Sequence, residues 1–447
     1  MTLTDREVRD LAESVRRSFG ERLPPAPVRE SVKDRELRME RTKYVLETDI
    51  MALVNDQRLA AREPVLGRED EDRVVTAVVG AMFLIPQLMA ILANEPLAED
   101  AAQIGAGPLR VDRADGTVGF YPPLVDRPEQ LQAMISDVAQ QHHRPFSQEA
   151  PFVDVQLSRH LRFHGQGFDV VAEPAIFIRV HRAMGATYDD LHRWGSVSRG
   201  LAYFLGTVSP TVKLSQLVTG VQGSGKTTVL RASALAYPDH TRIATVETDF
   251  ELGLAGLGMD WTQEMQARIP VTSDADGISC ADLMRPLLRT RADVNIIGEI
   301  RGDEASAAVR AANVGAGTLA TVHGTSAEVG LGQMVDRMVE ADGMDRKLAQ
   351  RLVYESFDLV VHCEISANRR RWVKEVIAPS VEGDQPKFHT LYGPDYDTGD
   401  ERARARHTPW PARLLAKINM SMPDFDHARA VDDTLVPFVD AAETSRV

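Results

Sequence analysis

Cysteine is nearly missing from this chain: the only two in 447 residues, Cys280 and Cys363, lie far apart with no C-x-x-C. That excludes a disulfide framework and a cysteine-rich zinc site, and it fits a reducing cytoplasm. The histidines at 142, 143, 160 and 164 lack a carboxylate or cysteine set at metal-ligand spacing, so no zinc centre is expected there. Aromatic residues are scarce at 6% and the net charge is −14. A channel that grips nucleic acid needs basic walls and stacking platforms, so a stable nucleic-acid partner is not expected. Long apolar runs are also missing, with one exception. Residues 74–93 are uncharged and long enough, at about 20 residues, to span a bilayer. Pro86 and Gln87 interrupt the run and the acidic stretch 69–72 precedes it, so two buried helices are expected instead. A signal peptide is absent as well: Thr4 and Glu7 form a capping box that opens a charged helix with Val8, Leu11, Val15 and Phe19 on one face.

What is present is more specific. Gly220, Val221, Gln222, Gly223, Ser224, Gly225, Lys226 and Thr227 satisfy G-x-x-x-x-G-K-[ST], with an apolar strand expected over 214–218 and a helix over 227–236. The glycines let the backbone turn sharply, so that several N–H groups aim at an anion beside the positive end of a helix. Lys226 would reach the β- and γ-phosphates of a nucleoside triphosphate, the Thr227 hydroxyl would hold Mg²⁺, and Thr228 completes the binding segment. ATP and Mg²⁺ are therefore the expected ligands.

The rest of the chain can be arranged around that loop. Residues 1–73 are highly charged, are broken at Pro24–Pro27, and form a helical extension. An α+β domain is expected over 74–205, with strands at 152–157 and 175–180 and a helix over 189–204. Residues 206–385 alternate strand and helix patterns, with strands at 242–247, 294–300, 318–323 and 359–362. This predicts an α/β domain with a doubly wound, mainly parallel sheet and ligands at the carboxyl ends of its strands. Residues 386–447 read as a C-terminal extension. In it Arg402, Arg404 and Arg406 form a solvated basic run, 410–420 a short docking helix, and the segment beyond Asp432 a frayed tail.

Charged strand ends are where the chemistry is expected. Glu299 closes the apolar run 294–298, the place for a carboxylate beside Mg²⁺ and an attacking water. Glu247 closes the first strand after the loop's helix and could orient that water or contact the ion; a solvated or salt-bridged carboxylate is its alternative. His323 ends a strand and could bond the γ-phosphate, or serve as a buried structural histidine. Arg179 and Arg182 are candidates to stabilise phosphoryl-transfer charge from the preceding domain, with Arg162 and Arg242 as further candidates.

Residues 286–293 (Pro-Leu-Leu-Arg-Thr-Arg-Ala-Asp) and 296–305 (Ile-Ile-Gly-Glu-Ile-Arg-Gly-Asp-Glu-Ala) resemble a signature of the type II and type IV secretion-system ATPases. Segments 92–96, 110–116, 152–162 and 178–182 are similar to that family's amino-terminal domain. The resemblance runs from about residue 74 to 376 and comes nearest to the tight-adherence pilus and conjugation-type motors. It implies a RecA-like P-loop domain, a homo-hexameric ring, and an inner-membrane platform partner. It further implies a cytoplasmic protein peripheral to the inner membrane, closing clefts between two domains on ATP to drive pilus assembly or secretion. By the same resemblance Glu247 and Glu251 fall in an aspartate box, Glu299 in a Walker B motif and Thr321 to His323 in a histidine box. Thr248, Ala292, Ala316 and Gly324 depart from the family pattern, which implies retuned hydrolysis. A nucleotide-binding scaffold with weak turnover is the alternative, and a nucleic-acid-translocating ring a more distant one.

Overall fold

The computed structural model describes residues 3–24, 32–83, 86–142, 144–158, 161–181, 185–268, 277–313, 315–383, 385–406 and 409–439. It divides into two compact units, Met1–Arg113 with Thr117–His181, and Ala114–Gly116 with Arg182–Val447.

The first unit begins with helices α1 (Asp5–Phe19), α2 (Val32–Val45), α3 (Met51–Ala60) and α4 (Arg68–Phe83). The Thr4–Glu7 capping box is formed in both directions. Val8, Val15 and Phe19 of α1 pack with Ile50, Val54, Val74 and Val78. Helices α4 and α5 (Pro86–Ala93) carry the apolar run 74–93, and the residues between them lie outside the described ones. Among the described residues no helix is long and apolar enough to cross a membrane.

Strands β1 (Ala98–Ile104), β2 (Leu109–Arg113) and β3 (Val118–Tyr121), helix α6 (Pro128–Gln141), and strands β4 (Phe152–Ser158), β5 (Leu161–Gln166) and β6 (Ala175–Val180) follow. Among the described residues they form an antiparallel six-stranded sheet in the order β3-β2-β1-β6-β5-β4. One sheet face, with Leu161, Phe163, Ile176 and Ile178, packs with Leu131 and Ile135 of α6.

The second unit opens with α7 (Tyr188–Arg193), α8 (Arg199–Tyr203) and α9 (Ser209–Val212). The single helix expected over 189–204 is thus interrupted. Gly195 takes φ +76, outside helical space, and Ser198 caps a new helix by accepting from the Leu201 N–H.

From there strand and helix alternate: β7 (Gln216–Gly220), α10 (Lys226–Leu235), β8 (Ile243–Glu247), β9 (Thr262–Gln266), α11 (Cys280–Leu287) and β10 (Val294–Ile297). They continue with α12 (Glu304–Ala312), β11 (Gly317–His323), α13 (Ala327–Asp342), α14 (Arg346–Ser356) and β12 (Leu359–Ile365). The chain ends in β13 (Arg371–Glu382), β14 (Gln385–Asp395), β15 (Asp400–Ala405), α15 (Ala412–Ser421) and α16 (His427–Ala430).

Among the described residues the sheet order is β15-β14-β13-β12-β7-β11-β10-β8-β9. Strands β7 to β12 pair in parallel, and β12 to β15 form an antiparallel meander. Alternate residues serve opposite faces. Leu217, Ile297 and Ala320 join the core with α11 to α14, whereas their neighbours Val218, Ile296 and Leu319 pack on the side of α10. Residue 385, where the α/β domain was expected to end, opens β14, so the same sheet continues to Ala405.

The C-terminal region differs from expectation in two further ways. Residues 432–439 are not frayed: Arg199 and Gly200 donate their N–H groups to the carbonyls of Thr434 (2.9 Å) and Asp432 (2.8 Å), and Val439 donates to Trp194 (3.3 Å). Nor is the arginine run a solvated tail. Arg402 and Arg404 lie on β15 and Arg406 just after it; Arg402 is bidentate to Asp400 and donates to the carbonyls of Gly195 and Val436.

Candidate nucleotide-binding site

The glycine-rich loop 220–227 occupies the turn from β7 into α10. Strand β7 is wholly buried and pairs with β11 and β12 up to its last residue, with Gly220 opposite His323 and Cys363. A Cβ on Gly220 would lie 2.6 Å from the Cys363 carbonyl, so only glycine lets the loop leave the sheet there. Gly223 (φ +77) and Gly225 (φ +93) complete the turn, and Gly225 stands at the N-cap of α10. The loop's backbone N–H groups are thereby gathered at the positive end of a helix.

Lys226 is buried and folds back, donating from Nζ to the carbonyls of Gly220 and Val221, both at 3.0 Å. Burial lowers its pKa below the ordinary lysine value, while Glu299 and Glu251 oppose that shift. Ser224 closes the loop by donating from Oγ to the Val221 carbonyl (2.8 Å).

Two acidic strand ends border the loop. Beyond β10, the Gly298 N–H donates to the Val246 carbonyl and the Ile300 N–H to the Thr321 carbonyl. These bonds hold Glu299 between β8 and β11, where its Oε1 is 2.6 Å from His323 Nε2 and its Oε2 accepts from Arg301 Nε (2.7 Å). The His323 pKa is lowered, first by burial and then by the nearby Lys226 charge. At neutral pH its Nε2–H therefore donates to the Glu299 carboxylate from an uncharged ring.

Glu247 has a different setting. It is 2% exposed; Oε2 accepts the N–H groups of Glu251 and Leu252 (both 2.9 Å), and Oε1 accepts the Thr245 hydroxyl (3.1 Å). Burial pushes its carboxyl up to about 7. Oε2 fixes the turn after β8, and that turn brings Glu251 to the loop, where Thr227 Oγ1 donates to Glu251 Oε2 at 3.4 Å.

Lys226, Thr227, Glu299 and His323 thus share one edge of the sheet, joined there by Glu251, Arg301 and Arg371. Arg371 donates from Nε to the Gly223 carbonyl at 2.7 Å. Those three were not among the expected site residues. Glu251 and Arg301 fall within recognised motifs, but the Arg371 contact spans 148 residues and depends on β12 pairing beside β7. Arg179 belongs to the first unit and donates from Nε to Asp100 (3.0 Å); Arg162 is there too, beside Asp154. Arg242 lies next to Asp293, at the opposite end of β8 from Glu247. Arg182 lies outside the described residues.

Thr227, Glu251 and Glu299 offer only oxygen donors, the type a hard dication prefers. Among the described residues no group of three or more acidic, histidine or cysteine side chains forms a cage.

Comparison with known proteins supplies the family. The family model described as type II/IV secretion system protein matches residues 151–385, more than half of the chain. The chain belongs to the type II/IV secretion system protein family. Within that family, the chain is 40% identical over 143 residues to a type II secretion system protein E of Pseudomonas aeruginosa, covering 31% of this chain and 26% of that one. It is 27% identical over 262 residues to the conjugal transfer protein TrbB of Rhizobium radiobacter, covering 57% and 76%. The solved Legionella pneumophila ATPase DotB aligns with 65% of this chain and 80% of its own, at 18% identity and a TM-score of 0.46. The matched stretches span 26% to 50% of the first three curated relatives.

Proposed function

We propose that this family member is a Mg²⁺-dependent ATPase that powers a secretion or pilus-assembly system. The observation that carries the reading is the phosphate loop between β7 and α10, with a buried Lys226 and a Glu299–His323 pair at the same sheet edge. Parallel strands with helices on both faces support a RecA-like, doubly wound core. Residues 220–228 would bind the nucleotide, Lys226 leaving its loop carbonyls for the phosphates. Thr227 and Glu299 would hold Mg²⁺, with Glu251 beside them. Bound Mg²⁺ would neutralise charge on the phosphate oxygens.

Glu299 is assigned to the attacking water, and His323, hydrogen-bonded to it, registers the γ-phosphate. Glu247 acts one step back, by fixing the turn that carries Glu251. Arg179 and Arg182 are proposed as further nucleotide contacts. The ring is proposed to be a homo-hexamer, peripheral at the cytoplasmic face of the inner membrane and docked on a platform protein. The resemblance to the secretion ATPases motivates that assembly, and the names of the relatives support secretion or conjugation work.

The test combines phosphate release with mass. Wild-type protein should hydrolyse ATP and reach six-chain mass with a non-hydrolysable ATP analogue. Lys226→Ala should release phosphate at least about a hundredfold more slowly. Equal rates for the two proteins would overturn the site assignment.

A further inference from the structure

The phosphate loop does not stand free on its strand and helix. The hairpin that joins β12 to β13 lies against it, and two residues of that hairpin meet the loop. Ile365 and Arg371 are direct cross-strand partners. A Cβ built on Gly223 would lie 4.0 Å from Ile365 Cδ1, and one built on Gly225 would lie 3.6 Å from Arg371 Cδ and 3.9 Å from its Cβ. Arg371 Nε donates to the Gly223 carbonyl at 2.7 Å.

We infer that Arg371 is a positioning residue for the phosphate loop, bracing the Gly223–Ser224 peptide in its anion-binding orientation. The inference rests on the nucleotide reading of the loop. In a trans peptide the C=O and N–H point to opposite sides. Anchoring the Gly223 carbonyl on the hairpin therefore turns the Ser224 N–H the other way, toward the Val221 carbonyl at a long 3.3 Å. A phosphate oxygen can replace that weak partner. A glycine-rich loop loses much backbone freedom when fixed, and a charge-assisted bond of this kind, stronger than a neutral one, offsets that loss before the ligand arrives.

The arginine is itself held. Ser196 donates from Oγ to the Arg371 carbonyl (2.9 Å) and accepts the Val373 N–H at its own carbonyl (3.0 Å). Trp372 Nε1 donates to the Glu401 carbonyl (3.1 Å), and the Phe438 ring lies 6.1 Å from the Trp372 ring. The start of β13 is thus fixed from the side away from the loop.

The chemistry makes a distinctive demand. The loop cradles the α- and β-phosphates, so a brace on the loop serves ATP and ADP alike. A guanidinium acting on the transferring phosphoryl group would favour ATP and turnover instead. Arg371→Ala, Arg371→Lys and Lys226→Ala are compared by titration with fluorescent ADP and ATP analogues, with folding followed by tryptophan fluorescence. Arg371→Ala should weaken both nucleotides about tenfold, equivalent to about 1.4 kcal/mol. Turnover at saturating ATP should fall less than about threefold, and Arg371→Lys should recover most of the affinity. Wild-type affinity in a folded Arg371→Ala protein, or a loss confined to ATP, would overturn the inference. Unchanged nucleotide binding by Lys226→Ala would instead overturn the nucleotide reading beneath it.

Discussion

Replacing Glu247 by glutamine should remove a pH dependence of stability that the wild-type second unit carries. The Glu247 carboxyl is buried and pushed from 4.5 up to about 7. Below pH 4.5 the acid is protonated in both the folded and unfolded chain, and its contribution to stability is fully present. Between 4.5 and 7 the unfolded chain gives up the proton while the folded chain retains it, so stability falls as pH rises, levelling off above 7. At roughly 1.4 kcal/mol per pH unit, that interval is worth about 3 kcal/mol. Glutamine reproduces the protonated acid: its oxygen can accept from the Glu251 and Leu252 N–H groups and its amide can donate to Thr245. All four tryptophans, Trp194, Trp261, Trp372 and Trp410, lie in the second unit, so urea unfolding followed by tryptophan fluorescence reports on that unit. Glu247→Gln should match wild type near pH 4.5 and exceed it by about 3 kcal/mol at pH 8. Parallel pH profiles for the two proteins would refute the reasoning.

Two other substitutions probe packing around the site. A Cβ on Gly324 would lie 2.4 Å from Thr219 Oγ1 and 2.9 Å from the Gly330 nitrogen, so Gly324→Ala should destabilise the second unit by about 1–3 kcal/mol. Adding Thr219→Ala should recover part of that loss in the same urea assay. Phe438 lies under the guanidinium groups of Arg402 (4.7 Å) and Arg370 (5.4 Å) and beside Trp372. Phe438→Ala should cost about 1 kcal/mol and speed proteolysis of the C-terminal segment, measured by limited digestion.

The form of the glycine-rich loop was legible because its requirements are local: glycines where φ is positive, and lysine and threonine at the start of a helix. Glu299 and His323 were legible for a related reason, since the apolar runs before them end at one sheet edge. Their 2.6 Å approach follows from β10 and β11 being neighbours. Contacts that depend on the path between elements were not legible. Glu251 reaches Thr227 because a buried carboxylate at Glu247 folds the turn back, and sequence alone gave Glu247 a solvated alternative. Arg371 reads as one of three consecutive arginines until β12 is known to pair with β7. Gly195 sits inside the helix expected over 189–204, yet its φ of +76 ends one helix before Ser198 starts another. The tail after Asp432 carries no periodicity, because carbonyl acceptors and single side chains attach it instead of an apolar face.

Gly324 also bears on the departures from the family pattern. The Thr219 side chain and the Gly330 backbone fill the space that a methyl group at this position would need. This departure is therefore matched by packing around it. It leaves the Glu299–His323 contact in place at the adjacent residue.

Whether the loop and Glu299 form one hydrolytic site is decided by single-turnover hydrolysis of γ-labelled ATP. Wild-type protein in excess over ATP should convert the bound nucleotide to ADP and phosphate. Glu299→Gln should bind ATP within a few-fold of wild type and convert it at least about a hundredfold more slowly, and Lys226→Ala should fail at binding. Tight ATP binding by wild type with no product over the same interval would contradict the claim, and would make the chain a nucleotide-bound scaffold.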